Sequence, residues 1–544
     1  MKDKANLKQI KYLWLLDQPE QAFDWRPEWF VETLASIVNQ TVPLWQLTIC
    51  VSAPYVSSVR QALSAYWKTN TQPRQQISVV TRKSTHPEKI LRTLMRKSQL
   101  DWVAVVNEYD KLALDATYLV LKEALRGPSP NIIYGDHDYL SSKRQVGIAF
   151  NKPAFCEDLL CSQNYIGHFF AIRREALLRH GSPTDGLELA WAHDLLLRMS
   201  EPAASAVIPA VSIPIVHTHG VLYHCRQRKP SAPLRQTLLD QSTQAVRNHF
   251  IRKRLEVKTT PYQRSLIRNA WPVPQAQPKV SLIIPTRDGY KILKACVDSI
   301  TELTKYRNFE ILIIDNQSSD PKTLRYLAHI VKRDQRVSVL PFDKPFNYSA
   351  INNFAVQQCS GEIIGFINND VEVLNAGWLT EMVSHALRPE VGAVGALLYY
   401  PDMTVQHGGV IVGMHGVADH ALKGADPRSV KDDPFGMLRS VRSTDAVTAA
   451  VMLVRKENFN AVRGFDEKHL KIAFNDVDLC LKLRQQDLKI IYTPHAKLIH
   501  HESKSRRLDQ SIQSQQTERY EHAIMKARWG TDRIQPQQHT SRYI

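Results

Sequence analysis

Residues 280–320 read VSLIIPTRDGYKILKACVDSITELTKYRNFEILIIDNQSSD. Two short apolar runs of the buried-strand type, 280–284 and 310–314, flank a segment of helical length, and both end in polar turns. A third run, EIIGFI at 362–367, follows another helical-length segment. Strand and helix in alternation predict an α/β fold with a parallel sheet.

The same pattern occurs earlier in the chain. FVETLASIVNQTVPLWQLTICVS (30–52) repeats the helix and strand of 292–316, and DWVAVVNEYD (101–110) mirrors EIIGFINNDV (362–371). IGHFFAIRREAL (166–177) then matches TAAVMLVRKENF (448–459), and HDLLLRMSE (193–201) matches VDLCLKLRQ (477–485). IPAVSIPIVH (208–217) matches IYTPHAKLIH (491–500). Matches in one order predict tandem copies of one fold. The basic helical stretch 241–258 and the proline-rich WPVPQAQP (271–278) separate them, because proline disfavours helix and stiffens a linker. The expected organisation is a first domain over 1–260, a linker over 261–278 and a second domain over 279–510. A tail over 511–544 follows, helical around 517–528 and loose at its Gln-rich end.

The 544 residues suit roughly two to four domains of ~150 residues, which excludes a lone binding module. Hydrophobic content of 43% with 23% charged residues excludes wholesale disorder. The formal charge of +17 favours a polyanionic partner: nucleic acid, an anionic membrane surface or a phosphorylated substrate. Lys and Arg are dispersed instead of forming a stripe interleaved with aromatics, which argues against nucleic acid. Seven cysteines without CxxC spacing suit reduced core thiols and a cytoplasmic compartment. The start MKDKANLKQIKYLWLLDQPEQ has no signal-peptide core, and no run reaches the ~20 apolar residues of a spanning helix.

Ligands of open α/β sheets bind outside the carboxyl ends of strands, where IIPTRDG (283–289) and IIDNQSSD (313–320) put Asp288 and Asp315. Such turns also arise when Asp merely closes a loop. In a ligand-binding reading, Asp315 accepts the imide N–H of a pyrimidine base. Pro285, Thr286 and Arg287 line the nucleotide with Asn353 and Asn369. FINNDVEV (366–373) sets Asp370 and Glu372 after a strand, and neighbouring carboxylates there suit a hard divalent cation bridging to a diphosphate. AFNDVDLCLKLRQQ (473–486) opens a helix with Asp476 and Asp478, one of which is expected to cap it. KLIHHESKSR (497–506) gathers His500, His501 and Glu502 with Lys504 and Arg506, a set suited to a metal and to diphosphate oxygens.

The ordered series PTRDG, DNQSSD, NNDVEV, GFDE, FNDVDLCLKLR and HHESKSR resembles glycosyltransferase family 2 over roughly residues 279–507. HGGVIVGMHGVADHALKG (407–424) and TDAVTAAVMLVRKENFNAVRGFDE (444–467) resemble its bacterial O-antigen and surface-polysaccharide branch, rhamnosyltransferase-like members included. The resemblance implies two tandem GT-A domains, that is, nucleotide-diphospho-sugar transferase domains of Rossmann-like α/β type. It makes Asp315 the pyrimidine-binding Asp and Asp370 the last Asp of a DxD-type metal motif, here written Asn368-Asn369-Asp370. Glu372 and His500 become further metal contacts for Mn²⁺ or Mg²⁺. Asp476 falls at the catalytic base, where many members read Glu-Asp and this chain reads Asn475-Asp476.

The implied reaction is an inverting transfer from a nucleotide-diphosphate sugar to a glycan acceptor, with charge on the departing diphosphate stabilised by preorganised cations. Hydrolysis fits less well, since a glycosidase needs two opposed carboxylates and no nucleotide turn. Acceptors of the family are often lipid-linked, which implies the inner face of the cytoplasmic membrane, where basic patches meet anionic lipid. In the repeat alignment Asp315 falls opposite the APYVSS region (53–58), Asp370 opposite Tyr109 and Asp476 opposite Ala192. The first domain therefore reads as a degenerate copy that positions acceptor or docks a partner. Two alternatives are a second active site on Asp136, Asp138 and Asp194, and a non-catalytic scaffold of a polysaccharide-assembly complex.

Overall fold

A computed structural model describes residues 9–16, 25–70, 76–107, 109–126, 130–140, 149–167, 169–201, 215–226, 231–429, 432–501 and 512–532. The chain divides into two compact units, Met1–Asn269 and Ala270–Ile544.

The first unit carries β1 (Ile10–Leu15), β2 (Trp45–Val51), β3 (Ile77–Thr81), β4 (Trp102–Asn107), β5 (Lys111–Leu112), β6 (Ile132–Leu140), β7 (Phe170–Arg173) and β8 (Ile215–Arg226). They form one sheet in the order β3-β2-β1-β4-β7-β6-β8-β5. The second unit carries β9 (Val280–Thr286), β10 (Phe309–Asp315), β11 (Val337–Pro341), β12 (Ile363–Ile367), β13 (Val371–Val373), β14 (Val391–Tyr399), β15 (Val451–Arg455) and β16 (Lys489–His500). Its order is β11-β10-β9-β12-β15-β14-β16-β13, the same path strand for strand. In each unit the first four strands run parallel and the next, β7 or β15, runs antiparallel. This is the GT-A arrangement, present twice.

Apolar runs become central strands because both faces of the sheet are covered. Leu282 and Ile284 of β9 pack with Ile311, Ile313 and Leu453 on one face, while Ile283 packs with Leu312, Ile314 and Phe366 on the other. Gly365 allows β12 to approach closely, since a Cβ there would lie 2.6 Å from the Leu282 side chain. The seven cysteines form no disulfide. Among the described residues no helix is long and apolar enough to cross a membrane.

Two boundaries differ from those read in the sequence. Residues 258–262 and 266–270, partly inside the expected linker, pair as a hairpin, with Thr259 donating to Asn269 Oδ1 at 3.0 Å and Asn269 donating to Cys161 O at 3.0 Å. Only 271–278 lacks helix and strand there. The described part of the expected tail is a helix, Ile512–Trp529, whose Met525 is fully buried in the core of the second unit.

Candidate active site

The order β10-β9-β12 reverses direction between β9 and β12, which opens a crevice at their carboxyl ends. On one side of it, Thr286 ends β9 in register with Asp315, the last residue of β10. Thr286 is buried and its hydroxyl accepts from Asn369 Nδ2 at 3.0 Å, tying β9 to the turn after β12. Asp315 Oδ1 accepts from Ser318 N at 3.1 Å. Its Oδ2 has no hydrogen-bond partner among the described residues, so it can receive an N–H from a ligand. Asn316, which the sequence reading passed over, donates through Nδ2 to Phe342 O at 2.9 Å and Lys344 O at 2.7 Å, fixing the loop that rims this edge.

Asp288 serves a different purpose. It has φ 54, its Oδ1 accepts from Ser319 N at 2.7 Å and Asp320 N at 2.8 Å, and its own N–H donates to Ser318 Oγ at 2.8 Å. The carboxylate latches the two polar turns together, while Arg287 is exposed and Pro285 half-buried beside it. Asn353, on the Tyr348–Gln358 helix, is committed elsewhere. Its Nδ2 donates to Phe465 O and to Glu467 Oε2, both at 3.0 Å, and its Oδ1 accepts from Phe465 N at 3.0 Å. The GFDE turn consumes this amide. Gly464, at φ 60, makes that possible, because a Cβ there would lie 2.7 Å from Asn353 Oδ1.

On the other side of the crevice, the antiparallel pairing of β13 with β16 sets Val371 opposite His500. Asp370 thereby faces His500, Oδ1 to Nε2 at 3.2 Å, and Asn368 Nδ2 lies 3.4 Å from the same ring nitrogen. Glu372 pairs with Ile499 in register, so its carboxylate meets His501 instead, at 2.8 Å. The expected trio of Asp370, Glu372 and His500 thus resolves into two separate pairs. Among the described residues no group of three His, Cys, Asp or Glu side chains gathers as a metal-holding set. One carboxylate and one imidazole fit a hard divalent cation whose remaining positions are filled by ligand oxygens and water. Lys504 and Arg506 lie outside the described residues.

The Asn475–Arg484 helix, α1, opens behind these strands. Its N-cap is Phe474 at φ 56, so neither Asp caps it as expected; Asp476 and Asp478 both sit in the first turn. Half-buried Asp476 accepts from Ala449 N on Oδ2 at 3.0 Å and from Val477 N on Oδ1 at 2.9 Å. Ala450 O in turn accepts from Asn368 N at 3.0 Å, so one dipeptide joins Asp476 to the Asn368–Asp370 turn. Asp478 is fully buried and structural. It meets Lys482 at 3.2 Å, Arg528 at 2.7 Å and Trp529 Nε1 at 2.9 Å.

Residues 281–424 match the family model for Glycosyl transferase family 2. The second unit belongs to glycosyltransferase family 2. O-antigen biosynthesis protein RfbC of Myxococcus xanthus is 39% identical over 413 residues, covering 75% of this chain and 31% of that protein. Uncharacterized protein y4gI of Sinorhizobium fredii is 36% identical over 518 residues, 93% of this chain and 55% of that one. The chain therefore spans about a third and about half of these two relatives. An N-acetylglucosaminyl-diphospho-decaprenol L-rhamnosyltransferase of Mycobacterium tuberculosis is 28% identical over 224 residues, 37% of this chain and 70% of that one.

The strand registers allow the family 2 unit to be compared position by position with the first unit. Leu15 pairs with Cys50 as Pro285 pairs with Ile314, so Val51 stands where Asp315 stands, two residues ahead of the stretch expected from sequence. Trp102 pairs with Ile10 as Ile363 pairs with Val280, and counting forward puts Tyr109 at the Asp370 position. Lys111 pairs with His224 as Glu372 pairs with Ile499, which puts Cys225 at the His500 position. Ala192 is the second residue of the Trp191–Ser200 helix, as Asp476 is of α1. Arg226 fills this edge: its N–H donates to Asp110 at 2.7 Å, its Nε to Tyr109 O at 2.7 Å, and its guanidinium pairs with Glu32. Asp136 accepts from Lys152 N and His217 at 2.8 Å and from Gly220 N at 3.2 Å. Asp138 meets His224 at 2.7 Å and Asp194 meets Arg198 at 2.9 Å. All three carboxylates are buried and committed.

One further cluster escaped the sequence reading. His407 is fully buried with Nδ1 2.9 Å from His420 Nδ1, and burial, reinforced by His420, Arg442 and His500, holds it well below the usual imidazole range.

Proposed function

We propose that the family 2 unit is an inverting glycosyltransferase that moves a sugar from a nucleotide-diphosphate donor to a growing bacterial surface polysaccharide or O-antigen. The observation that carries this reading is the shared frame of one crevice. Thr286 and Asn369 join the Asp315 edge to the Asp370–His500 pair, and Ala449-Ala450 joins that turn to Asp476.

In this reading the free oxygen of Asp315 receives an N–H of the base, and Asn316 keeps the neighbouring loop clear of it. Asp370 and His500 would hold a divalent cation, Mn²⁺ or Mg²⁺, which neutralises charge on the donor diphosphate. Asp476 takes the proton of the acceptor hydroxyl as that oxygen bonds to the anomeric carbon. The bond from that carbon to the diphosphate oxygen breaks on the opposite face, and the electron pair leaves with the nucleoside diphosphate. Configuration inverts, and Asp476 ends protonated.

The first unit, with Val51, Tyr109, Cys225 and Ala192 at the four positions, is read as non-catalytic and as positioning acceptor or partner. The mycobacterial relative's name, with its diphospho-decaprenol acceptor, supports a lipid-linked glycan acceptor here too. Such an acceptor would bring the chain to the inner face of the cytoplasmic membrane, where its +17 charge meets anionic lipid.

A thermal-shift panel of UDP, dTDP, GDP and CMP, with and without Mn²⁺, tests the reading on wild type and Asp370→Ala. One nucleotide is expected to stabilise wild type with metal, by about 2.7 kcal/mol at a hundredfold excess over Kd. Asp370→Ala is expected to lose the metal-dependent part. No shift with any nucleotide would remove the donor site and bring the scaffold reading forward.

A further inference from the structure

The Ile512–Trp529 helix, α2, lies beyond the residues matched by the family model, 281–424. It nonetheless grips the loop that delivers Asp476. Glu521, 1% exposed, turns its carboxylate onto the backbone of 471–473. Oε1 accepts from Lys471 N at 2.7 Å and Ile472 N at 3.0 Å, and Oε2 accepts from Ala473 N at 2.7 Å. Hydrogen bonds to an ionised acceptor are roughly twice as strong as neutral ones. Ser349 grips the same loop from another side, donating from N to Lys471 O at 3.3 Å.

Phe474 follows directly, at φ 56, a conformation that a bulky side chain seldom adopts. Its ring stands edge-on to His522, also on α2, at 4.7 Å between centroids. Asp476 comes two residues later. The strained turn is thus held between one carboxylate and one imidazole of a single helix. By contrast, the bonds that fix Thr286, Asp315, Asn369 and Asp370 come from strand register and from the turns between strands.

We propose that Glu521 is a positioning residue for the transfer: its carboxylate sets the 470–474 loop and so aims Asp476 at the acceptor hydroxyl. The proposal rests on Asp476 being the base. A base must lie within hydrogen-bond reach of the proton it takes, and a misplacement of about 1 Å can cost roughly a hundredfold in rate. Glu521→Gln keeps the shape but swaps one accepting oxygen for an N–H₂ that faces a backbone N–H, so the cradle opens at one point. The lesion belongs in turnover and not in donor binding.

The full chain is assayed for nucleoside-diphosphate release from UDP-, dTDP- and GDP-sugars, using the donor that turns over fastest. Glu521→Gln is expected to lower kcat at least about tenfold, with donor KM and nucleotide Kd within about twofold of wild type. Backbone amide exchange over 470–474 should speed up in the same variant. Glu521→Asp, which retains the charge, should recover part of kcat. Tyr520→Ala, on the half-exposed side of α2, should match wild type. The proposal is overturned if Glu521→Gln keeps kcat within about twofold of wild type, or if kcat falls only in proportion to the protein still able to bind nucleotide. Asp476→Asn separates the two readings. Full kcat in that variant would sink the base assignment and the positioning role together. Loss of kcat in Asp476→Asn with normal kcat in Glu521→Gln would sink the positioning role alone.

Discussion

Asp370 and His500 face each other at 3.2 Å, and neighbouring Glu372 turns away to His501. This split into two pairs is a consequence of register, since β13 presents Val371 to His500 and Glu372 to Ile499. His500→Ala should therefore raise the Mn²⁺ concentration needed for nucleotide stabilisation by about 100-fold or more, given that losing even a group behind a ligand costs 10–100-fold. Glu372→Gln, which disturbs only a contact more than a third exposed, should change it by less than about threefold. A Mn²⁺ titration of the thermal shift measures both. Equal losses in the two variants would return Glu372 to the metal shell. Asp476 and Asp478 make the same point about spacing. They sit two residues apart in one helical turn, yet one meets a backbone N–H at the crevice and the other a buried cation network.

α2 is docked by ion pairs as well as by Met525, and these give it a measurable dependence on charge. Arg528 bridges fully buried Asp478 at 2.7 Å and Asp466 at 2.6 Å. Arg528→Met leaves a buried carboxylate with less compensation, at a cost of about 3 kcal/mol, or roughly 6–12 °C in the melting temperature of the second unit. Differential scanning calorimetry reads it directly, and a shift under about 2 °C would mean that apolar packing alone seats the helix. Burial works to raise the Asp466 carboxyl, but Arg528 and His469 outweigh it and hold it at about 2. A carboxyl depressed in the folded state stabilises above its unfolded value near 3.8, and that contribution fades as pH falls through about 2. Hydrogen exchange of α2 should accordingly rise between those values in wild type, and Arg528→Met should flatten the dependence. At this scale the sequence was legible where pattern and partner coincide. The runs 280–284, 310–314 and 362–367 announced β9, β10 and β12 because central strands need apolar faces on both sides. The helix around 517–528 was visible from its amphipathic pattern. Its role was hidden, because Glu521 binds backbone N–H groups of 471–473 and no residue type at those positions signals it. Asn353 misled for the converse reason: an amide near the donor strands in sequence is spent on the GFDE turn.

For the whole molecule, the two sheets share one path while the residues at their carboxyl edges differ. The apolar clusters that hold each sheet lie along its faces, which leaves the strand ends open to change at little cost in stability. Position by position, the first unit has Val51 for Asp315, Tyr109 and Cys225 for Asp370 and His500, and Ala192 for Asp476. The Arg226 guanidinium, bonded to Tyr109 O and paired with Glu32, supplies a fixed internal cation at the edge where the family 2 unit offers Asp370 and His500. At the positions of Asp370 and His500 themselves the first unit has Tyr109 and Cys225 in place of a carboxylate and an imidazole. Calorimetric titration of the full chain with the nucleotide selected by thermal shift, in Mn²⁺, should therefore give about one site per chain. Asp370→Ala should remove the Mn²⁺-dependent part of that one isotherm and uncover no second site. Two sites in wild type, with one surviving Asp370→Ala, would instead make the first unit a donor-binding domain and revive Asp136, Asp138 and Asp194 as its active carboxylates. The commitment of those three groups to Lys152, His217, Gly220, His224 and Arg198 argues for the single site, since each would have to break a buried hydrogen bond before it could serve a substrate.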